Sequence, residues 1–446
     1  MTAAIIAASY RPAVMTMTPW GPAEDLRSRR LPPGPSGSRA AVVENQRERL
    51  MAAMVAVVAE RGYETTRVAD VLELAGVSRS AYYQHFSNKD ECFLATLDAL
   101  LEMVDPIVAG TYRSTDGSWD ERLGAVFEAV VKLIVAQPAA ARIWFVETYA
   151  AGPEAVERVE RLGARVEQLT AKAMGESPDR AGMPKHVVRA ILGGLRHVVH
   201  TRLRHGREDE LIELAPDLVD WALGYHAPSR PLRRPRKVPS LALAAPDPDA
   251  SGQRERILAA VTEAVAEKSY QSLTITEIAR RASVSLTTFY DLFESKPVVF
   301  LAALADGERR LADSVLPYYS RAGDWPHAVR DGTHAIFAFL AGNAALAKLG
   351  TIDVYAGGDA ARTRQEKTQD NFRALLYPGF QAYPDTAEIA GEAVGSAVYA
   401  LVFQQLRSAG PSRLYEVAPT AVYLALAPFV GPDEAIAIAN EDWQAS

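Results

Sequence analysis

The chain has one cysteine, Cys92, in 446 residues. A lone thiol closes no internal disulfide and supplies no thiolate cluster for zinc, so Cys92 reads as a small buried hydrophobe. Long apolar runs are also missing. No uninterrupted run reaches the roughly 18 residues that a membrane-crossing helix needs. Near the amino end, Ile5 and Ile6 lead no extended apolar core, and a Pro/Gly/Arg-rich stretch follows, unlike a secretory signal. These absences fit a cytoplasmic protein with no membrane partner. The eight histidines are scattered. His197 and His200 stand three apart without a third ligand in view, so neither a metal nor a cofactor is expected. No Gly-rich phosphate loop, H-E-x-x-H or G-x-S-x-G is present, which argues against an enzyme. Basic residues are outnumbered, 48 against 55 acidic, for a net charge of −7. That balance leaves a nucleic-acid partner open, because duplex binding needs positive groups only on the contacting face.

What the chain does have is ordinary globular composition, 48% hydrophobic and 23% charged, and length for roughly two to four domains. It also has an internal repeat. Gln46–Leu97 aligns without a gap on Gln253–Leu304, at a constant offset of 207 residues, with 20 of the 52 positions identical. Composition alone does not produce such agreement, so the segment is a duplicated domain. Around it, residues 1–40 read as a disordered Pro/Gly/Ser/Arg-rich arm. Residues 227–252 read as a Pro-rich linker. Its Arg230, Arg233, Arg234, Arg236 and Lys237 are either a solvated tether or a phosphate-touching run. The order is then arm (1–40), first head (41–97), first body (98–226), linker (227–252), second head (253–304) and second body (305–446). Helical periodicity and little strand pattern make the fold class all-α.

Each repeat reads as three helices. Leu50, Met54, Val57, Val58 and Arg61 keep 3.6-residue spacing in a first helix that ends near Gly62; Ile257, Val261, Ala264 and Val265 repeat it. A second, short helix carries Val68, Val71, Leu72 and Ala75, matched by Ile275, Ile278, Ala279 and Ala282. Thr274 and Glu277 have capping-box spacing. Gly76-Val77-Ser78 and Ser283-Val284-Ser285 then turn the chain. The glycine position suits a positive φ, the valine plugs the core, and Ser78 or Ser285 caps the next helix. In that third helix Tyr82 and Phe86, or Phe289 and Phe293, anchor inward. Arg79, Ser80, Tyr83 and Gln84 face out, as do Leu286, Thr287, Tyr290 and Asp291. A short two-sided helix after a tight turn is what entry into a major groove requires.

At LAGVSRSAYYQHFSNKD and RASVSLTTFYDLFESKP the chain resembles the TetR family of bacterial regulators over about 50 residues per copy. The resemblance implies two tandem TetR-like units, each a helix-turn-helix head with a helical ligand and dimerisation body, and a double-stranded DNA partner. It implies DNA contacts from Arg67, Ser78, Arg79, Ser80, Tyr83, His85 and Lys89, and from Thr274, Ser285, Thr287, Thr288, Tyr290 and Lys296. Among these, the tyrosines and lysines would meet phosphates, Arg67 or Thr274 would grip the backbone, and Arg79, Ser80, Thr287 and Thr288 would read base edges. The second copy departs from the pattern at Ser283, in place of the turn glycine, and at Pro297, in place of an acid.

Helices at about 184–206 and 211–226, and at 386–409 and 412–430, are similar to that family's dimerisation helices. Small residues Gly193-Gly194 and Gly395-Ser396 lie within them. The expectation is an intramolecular pseudo-dimer on an imperfect palindrome, with a homodimer of chains carrying four heads as the other arrangement. The family's effector pockets point to Trp144, Phe145, Tyr149 and His197 in the first body. In the second they point to Phe337, Phe339, Tyr355, Phe372, Tyr399 and Phe403; plain core is the other reading of all ten. On these grounds the chain is expected to be a ligand-responsive repressor. A helical scaffold whose heads have lost DNA is the rival.

Overall fold

The computed structural model describes residues 16–31, 38–235, 237–239, 241 and 252–444. The fold is all-α among the described residues, apart from a two-residue hairpin, β1 Met17–Thr18 with β2 Gly21–Pro22. The first half holds α1 Arg39–Arg61, α2 Val68–Ala75, α3 Arg79–His85, α4 Lys89–Ser114, α5 Trp119–Ala136, α6 Pro138–Phe145, α7 Pro153–Met174, α8 Lys185–Arg204 and α9 Glu210–Leu223. The second holds α10 Gln253–Lys268, α11 Ile275–Arg281, α12 Leu286–Leu292, α13 Lys296–Arg321, α14 Trp325–Gly342, α15 Ala344–Thr351, α16 Asp359–Ala382, α17 Ile389–Ala409, α18 Ala418–Val430 and α19 Pro432–Ala439. No single described helix is long and apolar enough to cross a membrane.

The chain divides into two compact units, Met1–Gly163 with Val199–Ala215, and Ala164–Val198 with Pro216–Ser446. The first unit centres on one apolar cluster. Leu50, Met54 and Val58 of α1, Val71 of α2, Tyr82 and Phe86 beside the turn, and Cys92, Phe93 and Leu97 of α4 are all buried in it. Burial pushes the Cys92 thiol up to about 12, so it carries no thiolate at neutral pH. Val299 fills the equivalent place in the other copy, also fully buried.

Two readings of the sequence change here. Residues 16–31 of the expected disordered arm are folded, with Leu26 fully buried and Trp20 9% exposed in the first head's core. Two apolar anchors among Pro, Gly and Arg are enough to dock this segment, whereas an average over composition hides them. Residues 1–15 and 32–37 of that arm lie outside the described residues. The head–body boundaries at 97 and 304 fall inside α4 and α13, because the helix closing each head continues into the body.

The second unit gathers its own head, its body and, from the first half, Ala164–Val198 and the chain from Pro216 onward. Its head buries Ile257, Val261, Ile278, Phe289, Phe293 and Phe300 together. Near Gly193-Gly194, α8 meets α17 closely: a Cβ at Gly194 would lie 2.7 Å from the Ala393 carbonyl and 2.9 Å from the Trp221 ring. The Tyr225 hydroxyl donates to the Leu424 carbonyl at 2.8 Å, and the Tyr423 hydroxyl donates to that of His226 at 2.7 Å. The described part of the linker is laid on this body rather than free. The Arg233 amide donates to Asn440 Oδ1 at 2.7 Å, Asn440 Nδ2 donates to the Pro231 carbonyl at 3.1 Å, and Arg234 approaches Glu416 at 4.0 Å. Arg236, residue 240 and residues 242–251 lie outside the described residues.

Candidate nucleic-acid interface

The turn that presents each third helix is built from backbone conformation. Gly76 takes φ 62° and ψ 36°, the left-handed region that a residue without Cβ reaches freely. A side chain there would also collide with the arm, since a Cβ would lie 2.9 Å from Arg27 Cγ. Ser283 keeps the same turn with φ 53° despite its side chain. After the turn, Ser78 Oγ accepts from the Ala81 amide at 3.2 Å and Ser285 Oγ accepts from that of Thr288 at 2.9 Å. Both hydroxyls are therefore N-caps, satisfying an otherwise unpaired amide.

Helices α3 and α12 are two-sided. Tyr82 and Phe86, like Phe289 and Phe293, are buried, and the Tyr82 hydroxyl donates to the Asn88 carbonyl at 2.8 Å. The neighbouring Tyr83 and Tyr290 stand 49% and 54% exposed. Arg79, Ser80, Gln84, Leu286, Thr287 and Asp291 are exposed beside them, and Thr288 is half-buried. The Arg79 guanidinium lies 5.8 Å from the Tyr83 ring centre. His85 is half-buried against α1, its Nε2 3.4 Å from Gln46 Oε1, and burial lowers its pKa.

The predicted phosphate-binding lysines have a second occupation. Lys89 Nζ donates to the Tyr63 carbonyl at 2.8 Å and sits 4.0 Å from that ring's centre. Lys296 Nζ donates to Leu273 and Tyr270 carbonyls at 3.1 and 3.3 Å, with the Tyr270 ring centre at 4.6 Å. A cation at a helix N-terminus opposes the helix dipole, so these loop carbonyls and ring faces hold it there. Burial lowers the Lys89 pKa.

At the start of the second helix the two copies differ. Arg67 folds onto Asp70, with Nη2 3.1 Å from Oδ1, and this hydrogen bond lowers the Asp70 pKa. Thr274 Oγ1 accepts from the Glu277 amide at 3.2 Å, one half of the expected capping box; the Glu277 carboxylate is drawn to Lys268 at 2.9 Å and Arg281 at 3.2 Å.

Sequence reasoning passed over two basic elements of this face. Arg47 and Arg254 lie 5.3 and 5.2 Å from the Phe86 and Phe293 ring centres, and the identical Q-R-E-R of both copies was the available signal. Arg27 of the arm donates to the Glu73 carbonyl at 2.8 Å beside the turn; nothing in the repeat points to it.

The pocket candidates separate. A cavity of about 390 Å³ in the second body is lined by Phe339, Phe372 and Tyr399 among others. Phe337 instead is fully buried, and the Tyr355 and Phe403 rings pack on each other at 6.2 Å. In the first body, Trp144 and Phe145 stack at 5.7 Å, and Trp144 packs against the head's core. His197 is near the Tyr399 ring at 6.4 Å, and Tyr149 lies in a short 3₁₀ turn. Among the described residues, no group of three His, Cys, Asp or Glu is arranged for a metal.

Two capped helices that follow tight turns, one exposing Arg79, Ser80 and Tyr83 and the other Thr287 and Tyr290, define a DNA-binding helix-turn-helix protein. Residues 50–96 and 257–303 both match the family described as Bacterial regulatory proteins, tetR family. The HTH-type transcriptional activator FasR of Mycolicibacterium smegmatis is 29% identical over 154 residues, 34% of this chain and 68% of that protein. Two further relatives from Pseudomonas putida match over shorter lengths. The HTH-type transcriptional regulator CymR is 46% identical over 13% of this chain and 28% of its own, and TtgR 52% identical over 10% and 22%. Among solved structures, the fatty acid degradation regulator FadR of Bacillus halodurans aligns at 18% identity and TM-score 0.36, covering 40% of this chain and 97% of its own. The chain thus carries the DNA-binding domain of the tetR family twice, and the relatives it matches are transcriptional regulators.

Proposed function

We propose that the chain is a ligand-responsive repressor that grips one imperfectly palindromic operator as a covalent pseudo-dimer, one head on each half-site. The observation that carries this reading is a common scaffold with unequal reading side chains. Tyr83 and Tyr290 occupy matching exposed places, while Arg79, Ser80 and Gln84 are replaced by Leu286, Thr287 and Asp291. Equal frames with unequal readers suit a site whose halves differ.

In this reading Tyr83, Tyr290, Lys89 and Lys296 meet phosphates, the lysines using N–H groups beyond those given to loop carbonyls. Arg67 and Thr274 grip the backbone, and Ser78, Ser285 and His85 line the contact. Arg79, Ser80, Thr287 and Thr288 read base edges, arginine to guanine giving the strongest discrimination. The hydrogen bonds that join Tyr225 and His226, just past α9, to Leu424 and Tyr423 of α18 support the pseudo-dimer. It would set the recognition helices about 34–36 Å apart, one turn of B-DNA. The sign of regulation follows from where the operator lies relative to the promoter; FasR, by its name, is an activator.

A second reading has its own support: Leu286 is 46% exposed and Asp291 is anionic, which suits a second head that holds DNA without reading it. Selection of bound sequences from random duplexes separates these readings, using the full chain and variants with each head disabled. Two unlike half-sites support the first reading, and one half-site beside an unselected flank the second. A strict palindrome sinks the imperfect-palindrome proposal, and four half-sites would indicate a dimer of chains.

A further inference from the structure

From Leu26 to Val43 the chain carries Arg27, Arg29, Arg30 and Arg39 and no acid. The nearest acids in sequence, Glu24 and Asp25, stand on the other side of Leu26, in the short 3₁₀ turn Ala23–Asp25. Leu26 itself is fully buried and anchors the stretch to the first head.

Two sets of contacts lay this basic stretch beside α3. At one end the Arg27 Nε donates to the Glu73 carbonyl at 2.8 Å, and Arg27 Cγ lies 2.9 Å from where a Gly76 Cβ would be, just before Ser78 caps α3. At the other, Asn45 Nδ2 donates to the Arg29 carbonyl at 3.2 Å. The next residue, Gln46, lies 3.4 Å from His85 at the end of α3. Arg27, Arg29 and Arg30 are all exposed on this course.

The cations crowd one another more than they pair. Arg49, 3% exposed, reaches the Leu26 carbonyl at 3.4 Å, and its Nε has no hydrogen-bond partner. Arg30 and Arg29 add to burial in lowering the Arg49 pKa, with no acid opposing them. Among the described residues, Arg27 is the one of these arginines with an ion pair, to Glu73 at 4.0 Å. Like charges gathered without a counter-charge favour an anion arriving from outside.

The second head is built without this element. There Arg256, the counterpart of Arg49, donates from Nε to the Ala282 carbonyl at 3.1 Å, so it reaches directly the helix end that Arg27 serves in the first head. A similar run, Leu232-Arg233-Arg234, stands 21 residues ahead of Gln253, as Leu26-Arg27-Ser28 stands 20 ahead of Gln46. That run is held elsewhere, with the Arg233 amide on Asn440 and Arg234 4.0 Å from Glu416. The linker residue packed on the second head's core is the uncharged Leu241.

We propose that Arg29 and Arg30, held in place by Arg27 and Leu26, grip the DNA phosphates flanking the bases that α3 faces, a basic arm that the second head lacks. The inference rests on the first head meeting duplex DNA, and needs neither the pseudo-dimer nor an effector. Phosphate contacts of this kind add affinity and salt dependence without sequence preference.

The test titrates the full chain by fluorescence anisotropy on two duplexes of about 30 base pairs, one alternating A·T and one alternating G·C, across about 0.03–0.15 M salt. Arg29→Gln with Arg30→Gln should lower the slope of log K against log salt by about two on both duplexes. Binding at about 0.1 M salt should weaken about tenfold or more. Because Arg29 also donates to the Trp20 carbonyl, its loss loosens the arm as well as the grip. Arg30→Gln alone is therefore the second variant. It should lower both slopes by about one at an unchanged melting temperature. Arg233→Gln with Arg234→Gln, the linker counterparts, should leave both slopes as they are. An unaltered slope in Arg30→Gln, a loss confined to the A·T duplex, or an equal loss from the linker pair would each overturn the assignment. A parent chain that binds neither duplex removes the DNA-binding reading as well, whereas parent binding with unaltered arm variants removes the arm contact alone.

Discussion

Ser269 holds, at φ 86° and ψ 153°, the same backbone conformation that Gly62 holds at φ 77° and ψ 156° one repeat earlier. This region is essentially reserved for glycine, and a side chain there costs on the order of 1–3 kcal/mol. Ser283, in the place of Gly76, is the other non-glycine residue with positive φ among the described residues. The second head thus keeps the duplicated frame against local strain, because the helices on either side determine the turn more strongly than the serine opposes it. Ser269→Gly should stabilise the protein by about 1 kcal/mol, after the extra freedom glycine gains in the unfolded chain. Gly62→Ser should destabilise the first head. Urea denaturation of both variants checks this, and a Ser269→Gly protein no more stable than the parent would refute it.

Each head is also pinned to its own body by an acid and a base. Glu147 Oε2 accepts from the Tyr63 amide at 2.9 Å, with Arg142 3.6 Å from the carboxylate. In the second copy Lys348 lies 3.5 Å from Asp353, and its Nζ donates to Val265 and Ala266 carbonyls at 2.9 and 2.8 Å. Burial raises the Asp353 pKa, with Lys348 opposing the rise. Lys348→Met leaves both the carboxylate and the end of α10 without their partner, and should cost about 3 kcal/mol. Adding Asp353→Asn should recover part of that loss. A double variant less stable than Lys348→Met would show that the pair is not coupled in this way.

The acid limb of the stability curve should carry the signature of His334. The side chain is 3% exposed, Nδ1 lies 2.9 Å from the Tyr415 hydroxyl, and the ring stacks on Trp443 at 5.4 Å. Burial, reinforced by Arg330, lowers its pKa from 6.5 to about 3. The unfolded chain therefore takes up this proton near 6.5 while the folded chain refuses it until about 3. This contribution is fully present above 6.5 and is lost as pH falls toward 3, with a slope of up to about 1.4 kcal/mol per pH unit. His334→Gln should flatten that limb in melts between pH 6 and 4; an unchanged slope would exclude the histidine as its source.

The heads were legible because their signals are local. Ser78 caps an amide three residues on, Tyr82 and Phe86 share a helix face, and Gly76 marks its own φ. Where partners are remote, the pattern fell silent. Lys89 reads as a free surface cation until the Tyr63 carbonyl, 26 residues away, is seen beneath it. Trp20 and Leu26 are two anchors in a stretch whose average composition suggests disorder. Aromatic periodicity marks burial but not whether a ring faces core or cavity. Only Phe339, Phe372 and Tyr399 of the ten pocket candidates line the space, beside aliphatic and glutamine side chains that carry no such sequence signal.

The contact roles proposed for α3 and the start of α4 are separable by the kind of binding each variant loses. Tyr83 is exposed and its hydroxyl is free to meet a phosphate, so Tyr83→Phe should weaken every duplex alike, by about 1 kcal/mol or some fivefold, without altering stability. Lys89→Met should lower affinity and head stability together, because the amine also holds the Tyr63 carbonyl. Arg79→Ala should do something different: affinity for the preferred site falls by about 1–3 kcal/mol while mismatched sites at one position change little, relaxing the preference there. Binding measured on the selected operator and on single-base variants, at two salt concentrations, distinguishes the three. Should Arg79→Ala weaken all sequences equally and reduce the salt slope by about one, the arginine grips backbone and base reading must lie elsewhere on the helix.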